Sequence, residues 1–211
     1  MSKQIMRFCL LLFLLISFNS KPQSFNAERN QLDKKLMIGL GSWATTNFLV
    51  SGIGWGSIPS GEAHYFHQMN VMWNVVNIGL AVPGYLKARN APTELSAADT
   101  KLQQKKTEKI YLINAFLDVG YISSGLILGA IKTDNLTNSQ RFSGYGKSLI
   151  VQGSFLLLFD LMAYGLHKSH ATKNAKAFVQ SLEVSPSGIG IVWHIPNSIG
   201  DFESNPTMVY R

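Results

Sequence analysis

Polar side chains recur on one helical face of an otherwise apolar segment. His67, Asn70, Asn74 and Asn77 follow a spacing of three, four and three residues, and positions 63–86 contain no Asp, Glu, Lys or Arg. This spacing places all four side chains on the same side of a helix. Within a membrane, such amides hydrogen-bond across helices, and each contributes about 0.6 kcal/mol to helix association.

Two aspartates could carry chemistry in similar surroundings. Asp118 is the only charged residue between positions 110 and 131, and Asp160 is the only one between 148 and 166. An ionised carboxylate at the centre of a bilayer costs at least ~2.5 kcal/mol, and such residues mark ion or proton pathways by default. No Lys or Arg in these segments can pair with them. We therefore expect each aspartate to be protonated or bonded to Asn or Tyr donors.

These residues and a few others form a predicted intramembrane polar cluster, because polar groups in hydrocarbon must face one another inside a bundle. The predicted cluster comprises Asn47, His67, Asn70, Asn74, Asn77, Asn114, Asp118, Gln152 and Asp160. Two interpretations remain open. The side chains act as contacts between helices, or the aspartates and the amide face form part of a proton relay or transport pathway.

A metal site is a third hypothesis. Glu62, His64 and His67 lie together where the second apolar segment begins, and His-x-x-His at helical spacing can chelate a metal. Two ligands alone form a weak site, and histidines at a membrane surface more often bond to headgroups or backbone. No cofactor is predicted. No catalytic residue is predicted either, because the sequence has no Gly-x-Ser-x-Gly or comparable hydrolase signature.

Four apolar segments must position these residues. They span residues 36–58, 63–86, 110–131 and 148–167. Each is close to the ~20 residues that a helix needs to cross ~30 Å of hydrocarbon. They are too long for strands and lack a strand's alternation. A soluble bundle would show a charged stripe on each helix, which these segments lack. The predicted fold is all-α, a four-transmembrane-helix bundle of two helical hairpins.

Other parts of the chain have their own patterns. Gly52 and Gly56, and also Gly125 and Gly129, have the small-xxx-small spacing that allows helices to approach closely. A short surface helix is predicted from residue 93 onward in the polar linker 87–109. Residues 177–211 are predicted to form a small β-hairpin, with strands over 178–184 and 189–195, followed by a flexible tail.

Composition excludes several classes of protein. Charged residues make up 15% of the 211-residue chain, compared with roughly 25% in a typical soluble domain. The net charge of +7 is dispersed along the chain, so nucleic-acid binding is not predicted. Cys9 is the single cysteine and falls within the predicted leader, which excludes disulfides and thiolate metal sites from the mature chain.

Residues 1–24 read as a signal peptide, with Lys3 and Arg7 before an apolar run over 8–18. The predicted domains are therefore 1–24, a membrane domain over 25–176, and 177–211. An uncleaved anchor helix is the alternative. A cleaved signal places residue 25 outside the cytoplasm and leaves the basic linker 87–109 there too, against the positive-inside tendency. The reverse orientation satisfies the charges and contradicts the signal; we favour the signal.

One stretch carries a family resemblance. The sequence Gly-Glu-Ala-His-Tyr-Phe-His-Gln-Met-Asn-Val-Met-Trp-Asn-Val-Val-Asn over 61–77, with Pro-Gly-Tyr at 83–85, resembles an uncharacterised family of small bacterial four-helix integral membrane proteins. The Ser-Pro-Ser-Gly-Ile-Gly sequence at 185–190 is similar as well. The resemblance would cover most of the mature chain. It implies a helical membrane protein and implies no activity.

The sequence thus predicts a multi-pass protein of the bacterial inner membrane, exported through its N-terminal signal. Its predicted role is that of a non-enzymatic structural or interaction component. The alternatives are a small transporter or proton-relay component, and a metal or redox membrane protein. The predicted partners are the lipid bilayer and either a second copy or another membrane protein.

Overall fold

The computed structural model describes residues 25–180, 182–185 and 188–191, with side chains through residue 173. Four helices follow one another: α1 (Phe25–Ser57), α2 (Glu62–Asn90), α3 (Ala97–Ala130) and α4 (Leu136–Gln180). The all-α prediction is confirmed, and each predicted apolar segment lies in its own helix. Every helix extends beyond its apolar segment into polar sequence. The predicted signal peptide, residues 1–24, lies outside the described residues.

Short connections reverse the chain between helices. Gly61 precedes α2 with a φ of 96°, a conformation that glycine adopts without the strain of a side chain. Ser96 caps α3, because its hydroxyl accepts a hydrogen bond from the backbone N–H of Asp99 at 3.1 Å. Asn135 caps α4 in the same way, accepting from the N–H of Asn138 at 3.0 Å.

The prediction of a separate surface helix from residue 93 is wrong. The polar residues from Ala97 onward form the first turns of α3, which continues without interruption into the third apolar segment. The Ser96 cap explains the difference, since it starts the helix well before the apolar residues begin. A change in polarity along a helix therefore did not mark a helix boundary here.

The bundle has an apolar exterior, and its interior holds polar side chains beside an apolar cluster. Ile53, Phe116 and Leu158 are each at least 70% exposed, whereas Asn74 and Gln152 are completely buried. Water-soluble proteins show the opposite arrangement. An exterior of this kind suits hydrocarbon, where amides gain from being enclosed and leucines lose nothing by being exposed.

Three of the helices are long and apolar enough to cross a membrane: 25–57, 97–130 and 136–173. Helix α2 has the length of 29 residues but is not among them. Its interior face carries Asn70, Asn74 and Asn77, which lower its hydropathy although all three side chains are buried. Hydropathy averaged over a helix counts such residues as if they faced lipid.

Glycines bring α3 and α4 into backbone contact. A Cβ atom at Gly146 would lie 2.6 Å from the carbonyl oxygen of Gly125 and 2.7 Å from the nitrogen of Gly129. The predicted small-residue contact through Gly125 and Gly129 is thus present. The corresponding prediction for Gly52 and Gly56 is wrong for the described bundle, because a Cβ at either position would meet no atom of the described residues within 4 Å.

Two short strands follow the helices. Leu182–Ser185 and Gly188–Ile191 pair antiparallel, with Leu182 opposite Ile191. Residues 178–180, predicted as the start of the first strand, belong to the end of α4 instead. The remainder of the predicted second strand, 192–195, and the predicted tail lie outside the described residues.

We predict that Gly146→Ala destabilises the protein by about 1–3 kcal/mol, because the added methyl group overlaps the backbone of α3. Gly165→Ala in the same helix is the matched control, since a Cβ there meets nothing within 4 Å. It should leave stability unchanged or raise it by up to roughly 1 kcal/mol through helix propensity. Thermal unfolding in detergent micelles measures both. Equal stability of the two variants would contradict the close contact.

Candidate functional site

The side chain of Gln152 joins three helices inside the bundle. Its Nε2 donates to Asn70 Oδ1 of α2 at 2.8 Å. Its Oε1 lies 3.5 Å from Asn77 Nδ2 of α2 and from Trp43 Nε1 of α1, which makes these two contacts weak. Gln152 itself is completely buried. An amide can fill this position because it offers both a donor and an acceptor group.

The predicted amide face of α2 forms the rest of this network. Asn70 Oδ1 accepts a second bond, from the Ser148 hydroxyl at 2.9 Å. Asn74 donates to the backbone carbonyl of Asn70 at 2.7 Å, and Asn77 donates to Asn74 Oδ1 at 3.4 Å. The three asparagines are each at most 2% exposed. Hydrogen bonds thus link Ser148, Gln152 and these asparagines, and we call them the amide network.

The two predicted aspartates meet. Asp118 of α3 and Asp160 of α4 are 3% and 5% exposed, and their carboxyl groups lie within hydrogen-bonding reach of each other. The side chain of Asn114 also reaches Asp160. Asp118 Oδ2 has no hydrogen-bond partner among the described residues. We call these two residues the carboxyl pair; no ion pair in the described part of the chain includes either one.

Titratable groups continue from the carboxyl pair toward one end of the bundle. Tyr111 of α3 lies near both Asp160 and Asp33 of α1. Its ring stacks on that of His167, with centroids 5.4 Å apart. His167 Nε2 lies 3.0 Å from Asp33 Oδ1, close enough for an ion pair when the ring is protonated. The ring N–H does not point at that oxygen well enough to form a hydrogen bond.

Glu62 closes the other end of the bundle. Its carboxylate accepts hydrogen bonds from Lys147 and, at 2.6 Å, from the Ser143 hydroxyl. These bonds, with Lys147 contributing most, lower the pKa of the Glu62 carboxyl below its ordinary value. The pair is largely exposed, so its contribution to stability is within about 1 kcal/mol.

The three residues of the hypothetical metal site point in different directions. Glu62 bonds to α4, while His64 contacts the Ile58 carbonyl oxygen at 2.6 Å and Trp55 Nε1 at 3.2 Å. The ring of His67 packs against Gly54, where a Cβ atom would lie 2.6 Å from it. Over the described residues, no group of three or more His, Cys, Asp or Glu side chains is placed to hold a metal ion.

Two members of the predicted cluster lie outside the amide network. Asn47 is partly buried and donates to the carbonyl of Trp43 in its own helix, at 3.0 Å. His67 Nδ1 is buried without a hydrogen-bond partner in the described structure. The structure therefore groups Asn70, Asn74, Asn77 and Gln152 in one place, and Asn114, Asp118 and Asp160 in another.

Sequence analysis missed Ser148, Tyr111, Asp33 and His167 as interior residues. A signal for two of them was present: Ser148, Gln152, Asp160 and His167 follow one another at intervals of four, eight and seven residues, which keeps them on one face of α4. For Asp33 and Tyr111 no comparable pattern exists. Only the packing of α1 and α3 places them near His167.

The comparisons with known proteins give a family and no activity. A family model described as "Family of unknown function (DUF6992)" matches residues 39–161, more than half of the chain. The chain belongs to this family. The DUF6992 match contains the amide network and the carboxyl pair, and it leaves out Asp33 and His167. A search of curated proteins and a search of solved structures each found no match.

We predict that Gln152→Leu lowers the stability of this DUF6992 protein by about 1–3 kcal/mol, because buried donors and acceptors on Asn70 and Asn77 lose a partner. Asn47→Leu is the control, since its amide bonds only to the backbone of its own helix in the described structure. Asn47→Leu should lower the stability of the protein much less than Gln152→Leu does. Denaturation in mixed micelles gives both values, and a smaller loss for Gln152→Leu than for Asn47→Leu would contradict a network centred on Gln152.

Proposed function

We propose that this protein is a multi-pass membrane protein that holds an exchangeable proton on the carboxyl pair and exchanges it with one side of the membrane. The observation that carries the proposal is the contact between Asp118 and Asp160 in the interior of a bundle with an apolar exterior. In this proposal all four helices cross the bilayer.

A proton on the carboxyl pair follows from electrostatics. Two negative charges in contact repel strongly where little water is present to screen them. No cation in the described structure lies within ion-pair distance of either aspartate. One proton shared between the two groups removes the repulsion and supplies a hydrogen bond, the arrangement seen wherever two carboxyl groups share a buried site.

The residues around the carboxyl pair support exchange of its proton with one end of the bundle only. Toward the end that carries Asp33 and His167, the groups next to the pair are Tyr111, whose hydroxyl both donates and accepts hydrogen bonds, and then His167 and Asp33. On the other side lies the amide network, whose Asn and Gln side chains do not take up or release protons under ordinary conditions. This asymmetry suits a proton-binding element rather than an open channel.

The test is the infrared carbonyl absorption of a neutral carboxylic acid, measured in lipid vesicles at neutral pH. We expect wild-type protein to show it and Asp118→Asn or Asp160→Asn to lose it, because an amide can donate the bond that the shared proton made. Asp134→Asn, in the exposed loop before α4, is the matched control and should keep the absorption.

Exchange is tested on the same sample by changing the pH on one side of the vesicle wall at a time. The band should respond to one side and not to the other. If wild-type protein lacks the band, or if the band responds to neither side, the proposal fails. A static band would favour the alternative, a non-enzymatic structural or interaction component in which the pair and the amide network only hold helices together.

We also propose that the protein lies in the bacterial inner membrane, with the start of α1 outside the cytoplasm. The signal-like residues 1–24 support this orientation. The even number of helices then returns the end of α4 to the same side. The loop 131–135 between α3 and α4 would face the cytoplasm.

Cysteine labelling tests the orientation. Ala98→Cys and Thr137→Cys introduce thiols at exposed positions near the starts of α3 and α4, which lie at opposite ends of the bundle. With Cys9→Ser as background, a membrane-impermeant maleimide should label Ala98→Cys in intact cells and Thr137→Cys only after permeabilisation. The reverse pattern would show that the basic linker is cytoplasmic.

A further inference from the structure

A cavity of about 230 Å³ opens between α1, α2 and α3 at the end of the bundle that carries Asp33 and His167. Three cationic side chains line it: Arg29 of α1, Lys87 of α2 and Lys106 of α3. Its other walls include apolar atoms of Met37 and Ile110. A water molecule takes about 30 Å³ of liquid volume, so the cavity has room for a ligand several times larger.

Arg29 is the unusual member of this lining. It is only 4% exposed, and its Nη1 has no hydrogen-bond partner in the part of the chain that the structure describes. Asp33 lies near the Arg29 guanidinium. Its Nη2 donates a long hydrogen bond to Asn30 Oδ1, at 3.4 Å. A buried cation with an unfilled donor is costly, and such positions are normally compensated by a counter-charge.

One carboxylate, that of Asp33, also lines the cavity, but the acidic side chains at this end have other partners at short distance. Asp33 faces His167, with 3.0 Å between Oδ1 and Nε2, and Glu28 lies 3.0 Å from His170 Nε2. Glu108 accepts from Gln104 at 2.9 Å and lies 3.5 Å from Lys168. The partners of these carboxylates thus come from α4 and from Gln104. Among the described residues, Arg29, Lys87 and Lys106 have none within ion-pair distance.

The position of the cavity along the helices suits a headgroup. Lys87 directly follows the second apolar segment, and Lys106 precedes the third by four residues. The cavity therefore lies where hydrocarbon gives way to water, the level at which lipid phosphates are found. Basic pockets between membrane helices bind anionic headgroups, and each nearby cation strengthens that binding.

We infer that this cavity binds a phosphate group, with the Arg29 guanidinium as the buried donor and Lys87 and Lys106 as flanking charges. Guanidinium suits this role because its planar fork donates two parallel hydrogen bonds to phosphate oxygens. The phosphate could belong to an anionic phospholipid or be free in solution. The same cavity chemistry serves both, and the test separates them.

The first arm uses full-length protein in mild detergent and native mass spectrometry with phosphatidylglycerol, with phosphatidylcholine as the zwitterionic reference. Wild-type protein should retain phosphatidylglycerol preferentially. Lys87→Gln with Lys106→Gln should weaken retention roughly tenfold or more, because two flanking positive charges are lost. Both side chains are exposed, so these changes should leave folding intact. Arg29→Gln should weaken the retention of phosphatidylglycerol further, if that variant folds.

The matched control is Lys101→Gln with Lys105→Gln, which removes the same charge from exposed positions of α3 outside the cavity lining.

The second arm measures stabilisation of delipidated protein by inorganic phosphate, with sulfate and chloride alongside. Retention of phosphatidylglycerol identifies a lipid site, whereas stabilisation by phosphate alone identifies a site for soluble phosphate. Binding of neither, or an equal loss in the control variant, would overturn the inference.

Discussion

The bundle depends on a single constraint: a polar group enclosed by hydrocarbon must find its partner within the protein. Gln152 meets this constraint for three helices at once, because one side chain contacts Trp43 of α1 and Asn70 and Asn77 of α2. The apolar exterior contributes little to holding helices together in lipid, since lipid tails are as apolar as leucine. Interior hydrogen bonds therefore decide how α1, α2 and α4 are arranged, and close glycine contacts decide how α3 packs on α4.

The same constraint applies to the carboxyl pair, which is also buried in the bundle. Every member of the amide network has a hydrogen-bond partner in the described structure, so the network can be understood as structure alone. Asp118 and Asp160 need a shared proton to bond to each other, because neither has a cation within ion-pair distance in the described structure. The two ends of the bundle also differ in character. One end joins Glu62 to Lys147 and Ser143, whereas the other combines histidines, carboxylates and a cavity with surplus positive charge.

Much of the fold could be predicted from sequence, and the errors have physical causes. Apolar segments of about 20 residues identify four helices, because backbone groups in hydrocarbon have few alternatives to a helix. The predicted helices began too late in the sequence, because the caps Ser96 and Asn135 start α3 and α4 within polar sequence. Gly52 and Gly56 were expected at a helix contact, but neither meets a neighbour among the described residues, because spacing alone does not say which face of α1 meets another helix.

By itself, the sequence determined which side chains are polar inside apolar helices, and the 3.6-residue period determined that Asn70, Asn74 and Asn77 share a face. Only the tertiary structure decided which faces meet. It brought Asp118 to Asp160 and Asp33 to His167, and it enclosed Arg29 beside Lys87 and Lys106. The reason is that these pairs lie on different helices, and the rotation of each helix about its axis is set by its neighbours' side chains rather than by its own sequence.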